Sequence, residues 1–389
     1  MAVSDYKATK PQIWANYSQK LLENSLVGKA IANYKTEANL SVGDTVNVPR
    51  ISRPIVQNYK RGVDNDSQTV DSVLESLVVD QEKYVAMDLE DKDKKQSNNS
   101  LEEDIVDKLS YELRNDIDAH ILGKTTEAKY TFDNSGSPYD LGSTDIQTIV
   151  SQSAGYLRRR KVEQDMPWVM VADPQTVESI SNKMVADGFN KADTTLMNGY
   201  KGDFLGYKIF ESTNLPAEVV LGLATNPTDG DTITINEVEF TFVDSLAANE
   251  GEVLIGASAD ETAQNLVAAI NGGSGAGSDY VELADDDRKD LARENVEATD
   301  GTDEVTVTAS GYMEVTDDLT DGTDGFGDQS ILHYFGRMGG ISFAMQIAPD
   351  YEMNRYTQRK ADQHSLYDVY GSKVFTEGAE RFGKIKIKA

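Results

Sequence analysis

Residues 225–328 hold 26 acidic side chains and only three basic ones (Arg288, Lys289 and Arg293), a net charge of −23 out of −29 for the whole chain of 389 residues. The other 285 residues are left with about −6. A step of that size within one polypeptide predicts an acidic module inserted into a more ordinary host, whose two flanking halves then fold as one discontinuous domain. The length agrees, because a single core rarely grows past roughly 250–300 residues.

Several kinds of chemistry are excluded or starved. The chain has no cysteine, which removes disulfides, thiolate metal sites and cysteine nucleophiles together. Its three histidines, His120, His333 and His364, are far apart in sequence and give metal or triad chemistry little to build on. The N-terminus MAVSDYKATKPQIW has no apolar signal core, and no stretch approaches the roughly 18–20 apolar residues of a membrane span. The expectation is a soluble chain made in a cytosol, with no membrane partner. A hydrophobic fraction of 39% supports real cores.

Along the host, Ile13, Tyr17, Leu21, Leu22, Leu26 and Ala30 recur at three- and four-residue spacing and predict an amphipathic helix over 12–34. A Gly43-Asp44 turn then leads into alternating Val46 and Val48, a strand closed by Pro49. Residues 52–72 are polar, with few large apolar side chains, and 77–89 returns as a strand; together they predict a projecting hairpin. Ser100 and Glu103 fit a capping box, and Leu101, Ile105, Leu109, Leu113, Ile117 and Ile121 follow every fourth residue. A strict four-residue repeat drifts by about 40° per step, so the stripe winds around the helix and meets several neighbours. Gly123 is the expected stop. Beyond it a helix over 144–162, a strand over 167–172 and a helix over 174–184 alternate. Gly199, Gly202 and Gly206 lack the GxGxxG order of a phosphate cradle and read as turns before a strand carrying Tyr207 and Ile209 on one face.

Within the acidic module, Ile233, Ile235, Val238, Phe240 and Phe242 mark a hairpin around Asn236-Glu237, residues 253–255 a strand, and 258–271 a helix. Two further apolar stretches, 305–309 and 312–315, complete a compact α+β module. Its carboxylates have two readings. The aspartates of 317–325 could ligate calcium, but their spacing lacks the terminal Glu of an EF-hand and favours solvated turns. Asp285, Asp286 and Asp287 could be catalytic, though a run of adjacent acids reads better as a charged face. Arg158, Arg159, Arg160 and Lys161 form the one basic cluster of the host. It could contact phosphates. The favoured reading is that these cations offset a helix macrodipole and pair with acidic neighbours, since the chain's own field repels nucleic acid.

The order of the host elements resembles the major capsid protein of tailed double-stranded DNA bacteriophages. The resemblance rests on the GDTVNVP strand, the polar hairpin with Tyr59, Lys60, Arg61 and Gly62, and the 77–93 segment with Gln81, Lys83 and Tyr84 followed by Gln96 and Ser97. It continues through the long helix, the LGYKIFESTNLP stretch at 205–216, and the closing ISFAMQ (341–346) and SLYDVYGSKVF (365–375) strands. It spans 1–224 and 329–389. What it implies is an α+β chain of the Johnson fold. The arm is 1–45 and the extended loop region 46–75. A peripheral domain with its spine helix takes 76–140 and 345–389, an axial domain 141–224 and 329–344, and the acidic insertion domain 225–328. The implied function is structural, without enzyme activity, cofactor or metal. Copies of the chain form hexamers and pentamers of an icosahedral virion shell around DNA, assembled in the host bacterial cytoplasm.

The implied partners are the chain itself, a separate scaffolding protein, a portal at one vertex and packaged DNA held without sequence preference. The scaffold is expected because the arm helix begins within about a dozen residues of Met1, where many relatives carry a longer leading segment; a maturation protease and a cross-link through Lys60 are not expected. Interface candidates are Trp14, Tyr17, Tyr59, Lys60 and Arg61, the two arm aromatics being equally open to ordinary local packing. Arg158, Arg159, Arg160 and Lys161 are the inner-surface, DNA-facing candidates. The acidic module belongs outside, where it is solvated and not repelled by packed DNA. The rival function is a phage surface or tail-associated module using the acidic insert to grip a glycan or calcium, and deletion of 225–328 is the experiment that would separate the two. A carboxylate-dependent hydrolase would need paired acids in a cleft, which nothing in the host spacing supports.

Overall fold

The computed structural model describes residues 27–34, 45–51, 54–59, 61–62, 67–69, 72–92, 101–160, 162, 167–186, 200–311, 313–320, 325–356 and 358–389. These fall into two compact units, each discontinuous in sequence. One combines described residues of 32–114 and 339–378, the other those of 27–31, 115–338 and 379–389.

In the first unit, strands β1 (Thr45–Ile51) and β2 (Ser72–Val78) pair antiparallel as a two-stranded ribbon, from Thr45 opposite Val78 to Ile51 opposite Ser72. Strand β3 (Gln81–Glu90) belongs to a different, three-stranded sheet with β17 (Ser342–Arg355) and β18 (Ala361–Lys373), in the order β17-β18-β3. The single strand expected over 77–89 is therefore two. The reason is a close crossing: a Cβ at Gly371 of β18 would lie 2.3 Å from the Val78 carbonyl oxygen and 2.9 Å from Val79 Cα. The backbone changes sheets where it steps over that glycine. Helix α2 (Leu101–Gly123) packs Ile105, Val106, Leu109 and Leu113 against Leu89, Tyr351 and Leu366.

Further along α2, in the second unit, Ile117, Asp118, Ala119, Ile121 and Leu122 are buried, a wider stripe than the four-residue repeat marked. Helix α1 (Val27–Ile31) docks here. The Gly28 amide donates to Asp118 Oδ1 at 2.8 Å, and Ser212 Oγ and Asn214 Nδ2 donate to Oδ2 at 3.3 and 3.2 Å. Burial pushes the Asp118 carboxyl up, and these donors act against that shift. A Cβ at position 28 would sit 3.0 Å from Ile121, so the close approach favours glycine. Of the helix expected over 12–34, residues 12–26 lie outside the described residues, and the described part ends at Ile31. At the far end α2 stops at Gly123, but in right-handed conformation (φ −55°), running on into a 3-10 turn, Lys124–Glu127, without a left-handed cap.

The centre of the second unit is β16 (Ser330–Arg337), buried along its whole length. Strand β19 (Phe382–Lys388) pairs with one edge of it and carries β4 (Tyr130–Phe132) beyond. The other edge is shared end to end by β8 (Pro216–Gly222) and β5 (Trp168–Ala172). Outside β5 lie β7 (Tyr207–Glu211) and β6 (Tyr200–Phe204), joined by the tight turn Leu205-Gly206 at φ 51° and 82°. Of the three glycines only Gly206 is in this turn; Gly202 lies within β6 and Gly199 outside the described residues, while Tyr207 and Ile209 are both buried. Helices α3 (Ile146–Arg159), capped by Asp145, and α4 (Pro174–Ala186) cover one face with Ile149, Val150, Leu157, Val177 and Ile180.

The acidic segment leaves and re-enters at one place, because β15 (Gly325–Phe326) pairs with the last residues of β8, Gly325 opposite Gly222. Its hairpin, β9 (Thr232–Ile235) and β10 (Val238–Val243), turns at Asn236 and Glu237 with both φ positive, as a two-residue loop needs. Strands β11 (Glu252–Leu254) and β14 (Val315–Asp317) flank it in the order β11-β10-β9-β14. Of the second apolar stretch, expected at 312–315, only Val315 is in the strand, which runs on to Asp317, and residue 312 lies outside the described residues. Helix α5 (Ala259–Asn271) begins where expected: Ser258 Oγ accepts from the Glu261 amide at 3.2 Å, and Glu261 accepts from the Ala257 amide at 2.8 Å. Asp285, Asp286 and Asp287 are the first turn of a further helix, α6 (Asp285–Arg293), where carboxylates complement the helix N-terminus.

The remaining strands, β12 (Glu297–Gly301) and β13 (Glu304–Ser310), do not join the segment's own sheet. β13 pairs with β8 over seven residues, so the ten-stranded sheet runs β12-β13-β8-β16. Ala217, Val219, Leu221 and Leu223 accordingly share one core with Ile233, Phe240, Phe242, Leu266, Ile270, Val305 and Val307.

Candidate interaction surfaces

The β1-β2 ribbon is buried on one face only, and only at its base, where Val46 and Leu77 pack with Val79, Ala344 and Val369. Arg50 and Glu75 form an ion pair at 3.4 Å further out on that face. The opposite face carries Pro49 opposite Leu74, with Ile51 and Val78 beside them. Leu74 is 68% exposed and Ile51 63%. The apolar character continues into the loop, where Val56 is 97% exposed. Gln68 zips the loop shut: its amide accepts from the Ile55 N–H at 2.9 Å and donates to the Ile55 carbonyl at 2.6 Å, as a pairing backbone would.

Of the interface candidates read from sequence, Tyr59 and Arg61 lie in this loop and are exposed. Trp14, Tyr17 and Lys60 lie outside the described residues. The apolar side chains of the ribbon were missed because the loop was read as polar. Ile55 and Val56 stand adjacent within it, and the period of two at Leu74, Ser76 and Val78 is the pattern that marks one face.

Arg158, Arg159 and Arg160 end α3 as expected, and Lys161 is outside the described residues. The expected acidic partners are absent: among the described residues none of the three guanidiniums has a carboxylate within 4.0 Å. Aromatic rings hold two of them instead. Arg158 Nη2 donates to Tyr207 OH at 2.7 Å, with the guanidinium 5.9 Å from the Tyr207 and Trp168 ring centres. Burial pushes the Tyr207 phenol up, and the Arg158 charge partly offsets this. Arg160 Nη2 donates to Tyr156 OH at 2.9 Å and lies over the rings of Tyr156 and Tyr130. Tyr156 and Arg160 are four apart on the helix side, a spacing legible in advance; Tyr130, Trp168 and Tyr207 come from other strands and were not.

One buried constellation has the residue types of a nucleophile relay, and its geometry is wrong for one. His333 Nε2 is 2.7 Å from Asp173 Oδ1 and 3.1 Å from Thr176 Oγ1, so hydroxyl and carboxylate share a single ring nitrogen. The other nitrogen faces the Ile331 and Ile385 carbonyls at 3.1 and 3.4 Å. Asp173 also caps α4 through the Gln175 and Thr176 amides. Burial works to raise the Asp173 carboxyl, and the His333 and Thr176 contacts outweigh it, holding it at about 2. His333 has no exposed surface, so this is a packing device.

In the acidic segment, a cavity of about 410 Å³ lies between the end of α5, α6 and β12. Its polar groups are already engaged: Arg288 donates to the Ile270 and Ala269 carbonyls, and Asn271 exchanges hydrogen bonds with Ala298. Asp317 accepts from the Phe326 amide and Asp231 from the Thr228 amide. Among the described residues no group of three or more histidines and carboxylates is placed to hold a metal ion.

No protein-family model matches the sequence, and neither does any curated protein. Solved structures do match. A chain from the capsid structure of Cyanophage P-SCSP1u superimposes with a TM-score of 0.51 at 9% identity, covering 94% of this chain and 88% of that one. The fold is that of the phage capsid proteins, the Johnson fold. Chains from Mycobacterium phage Che8 (TM-score 0.50, 15% identity, 93% and 91% covered) and Gordonia phage Cozz (0.50, 11%, 94% and 87%) superimpose over the same extent. At such identities the likeness is one of fold.

Proposed function

We propose that this chain is the coat subunit of a tailed-phage head, a structural and non-enzymatic protein of which many copies form the hexamers and pentamers of an icosahedral shell around double-stranded DNA. The observation that carries the reading is the β1-β2 ribbon. A two-stranded ribbon is marginal by itself in water, and this one leaves Ile51, Leu74 and Val78 uncovered. Covering a Leu or Ile side chain gains roughly 1.5–3 kcal/mol at full burial. A neighbouring copy that seats this face gains several such contributions, and repetition around a ring makes the contact heterologous and closed. Tyr59 and Arg61 sit in the loop that would reach furthest across.

The arm (1–45), extended loop region (46–75), peripheral domain (76–140 and 345–389), axial domain (141–224 and 329–344) and insertion (225–328) are the division this reading assigns. A scaffolding protein, a portal at one vertex, a virion location and assembly in the bacterial cytoplasm belong to it. The acidic segment is placed on the outer surface, since its −23 would oppose packed DNA.

The test is negative-stain electron microscopy with sedimentation velocity on the chain expressed alone and with its genomic neighbours, beside Leu74→Asp. Shells, tubes or capsomer rings from the parent, and a folded monomer from the variant, are expected. A parent that stays monomeric even with its neighbours present, or a variant that assembles as well as the parent, contradicts the proposal. A monomer that instead binds a glycan or calcium through 225–328 would favour the surface-module alternative.

A further inference from the structure

The arginines at the end of α3 are a cluster of cations without carboxylates. Several cations elsewhere in the same unit find carboxylates of the chain: Lys129 with Glu380 at 2.5 Å, Lys183 with Asp145 at 2.7 Å, Lys386 with Glu218 at 2.6 Å and Lys388 with Asp328 at 2.6 Å. The chain has 66 acidic residues against 37 basic ones, so a carboxylate is the easiest partner for any cation to find. Among the described residues Arg158, Arg159 and Arg160 nevertheless have none.

Two of the three, Arg158 and Arg160, are held ready instead. A guanidinium has five N–H donors in a rigid fork. Arg158 spends one on Tyr207 OH and Arg160 one on Tyr156 OH, and the rings of Trp168 and Tyr207, and of Tyr156 and Tyr130, lie 5.2–5.9 Å from the two guanidiniums. Among the described residues the remaining donors are uncommitted, and Arg159 between them is exposed. Three consecutive residues on a helix fan through about 200°. The charges therefore form a collar around the end of α3, suited to a partner that lies across that end with negative charge spread along its length.

We infer that the C-terminal end of α3, with Arg158, Arg159 and Arg160, is the nucleic-acid contact of this chain and takes the phosphates of duplex DNA without reading sequence. A duplex carries one negative charge per roughly 1.7 Å of axis and a condensed counterion layer to release. Fixed guanidiniums lose little freedom on binding it. The acidic surface of a second protein is the competing occupant, and it presents charge more sparsely. The assignment gives the subunit a polarity, since the end of α3 then faces the genome. The coat reading supplies the DNA, but the contact can be measured on the chain whether or not shells form.

The experiment titrates a fluorescein-labelled duplex of about 20 base pairs with the full chain and follows anisotropy between about 50 and 200 mM salt. Two variants accompany it, Arg158→Ala/Arg159→Ala/Arg160→Ala and the charge-keeping Arg158→Lys/Arg159→Lys/Arg160→Lys, with circular dichroism to confirm folding. The parent is expected to bind in the non-specific range, roughly 10⁻⁴ to 10⁻⁶ M. Three lost contacts should make the log K against log salt plot shallower by about 2–3, and binding at the lowest salt at least tenfold weaker, because each phosphate contact contributes about 0.9 to the slope. The lysine variant should keep the parent's slope, which guards against reading a folding defect as a lost contact. A parent that does not bind, an alanine variant with an unchanged slope, or poly-L-glutamate displacing the duplex at equal charge concentration would overturn the assignment, the last by pointing to an acidic protein surface.

Discussion

Replacing Asp173 by Asn keeps the shape and the α4 cap while removing one buried charge, and its cost can be worked out from the contacts. The side-chain amide oxygen of the variant can still accept from the Gln175 or Thr176 amide, which lie 3.0 and 3.2 Å from the native carboxylate, but the charged partner of His333, at 2.7 Å, is gone. A carboxyl held at about 2 instead of 3.8 favours the folded state by about 2 kcal/mol wherever both states are ionised. Asp173 is 8% exposed, so solvent screening takes little from that figure. The folded-state value is the depressed one. The contribution is therefore complete above pH 3.8, has dropped to about 1 kcal/mol by pH 3, and vanishes as pH falls through about 2. Asp173→Asn should be destabilised by about 2 kcal/mol at pH 6 and by about half of that at pH 3. Urea unfolding followed by Trp168 fluorescence in a Trp14→Phe background reads the same sheet, since Trp168 begins the strand that ends next to Asp173. Equal stability of variant and parent at pH 6, or a deficit that does not shrink on acidification, would refute the charge account.

Gly371→Ala places a methyl group 2.3 Å from the Val78 carbonyl oxygen, a backbone atom that cannot swing aside, and should cost roughly 1–3 kcal/mol or more, seen as a lower urea midpoint. Deleting 225–328 removes β13 from beside β8 and uncovers Val219, Leu221 and Leu223, now fully buried. At roughly 2 kcal/mol each, that approaches the 5–15 kcal/mol of a whole domain. The shortened chain should be insoluble or bind ANS strongly, and a cooperative melt at the parent's temperature would show that reasoning wrong. The deletion is accordingly a poor way to separate assembly from binding by the insert, although the sequence recommends it.

Where local physics dominates, the elements were legible. The helix from Ser258 declares its own cap, and the hairpin at Asn236-Glu237 alternates cleanly on both sides of its turn. The sheet partners were not, because pairing depends on residues far apart: 77–89 alternates well enough for one strand, and only Gly371, some 290 residues later, forces the break at Val79 and Asp80. The triad of acids at 285–287 opens a helix whose sequence, DDDRKDLAR, buries little beyond Leu291 and so shows no apolar period to read.

The charge step marks the acidic segment, but it does not follow the sheet pairing, and one physical distinction accounts for the difference. Charge composition reports what faces water, and 225–328 faces water almost everywhere along its turns. Fold boundaries are set by which backbone edges pair. The free edge of β8 is an open row of donors and acceptors, and β13 satisfies it over seven residues. The alternation Val305, Val307, Ala309 was visible in sequence as a strand with one apolar face. Nothing local says whether that face lies on the segment's own sheet or on the host's. It lies on the host's, where Val305, Val307 and Ala309 meet Ala217, Val219 and Leu221 across the pairing, and a segment −23 in charge becomes part of the core of a host that is nearly neutral.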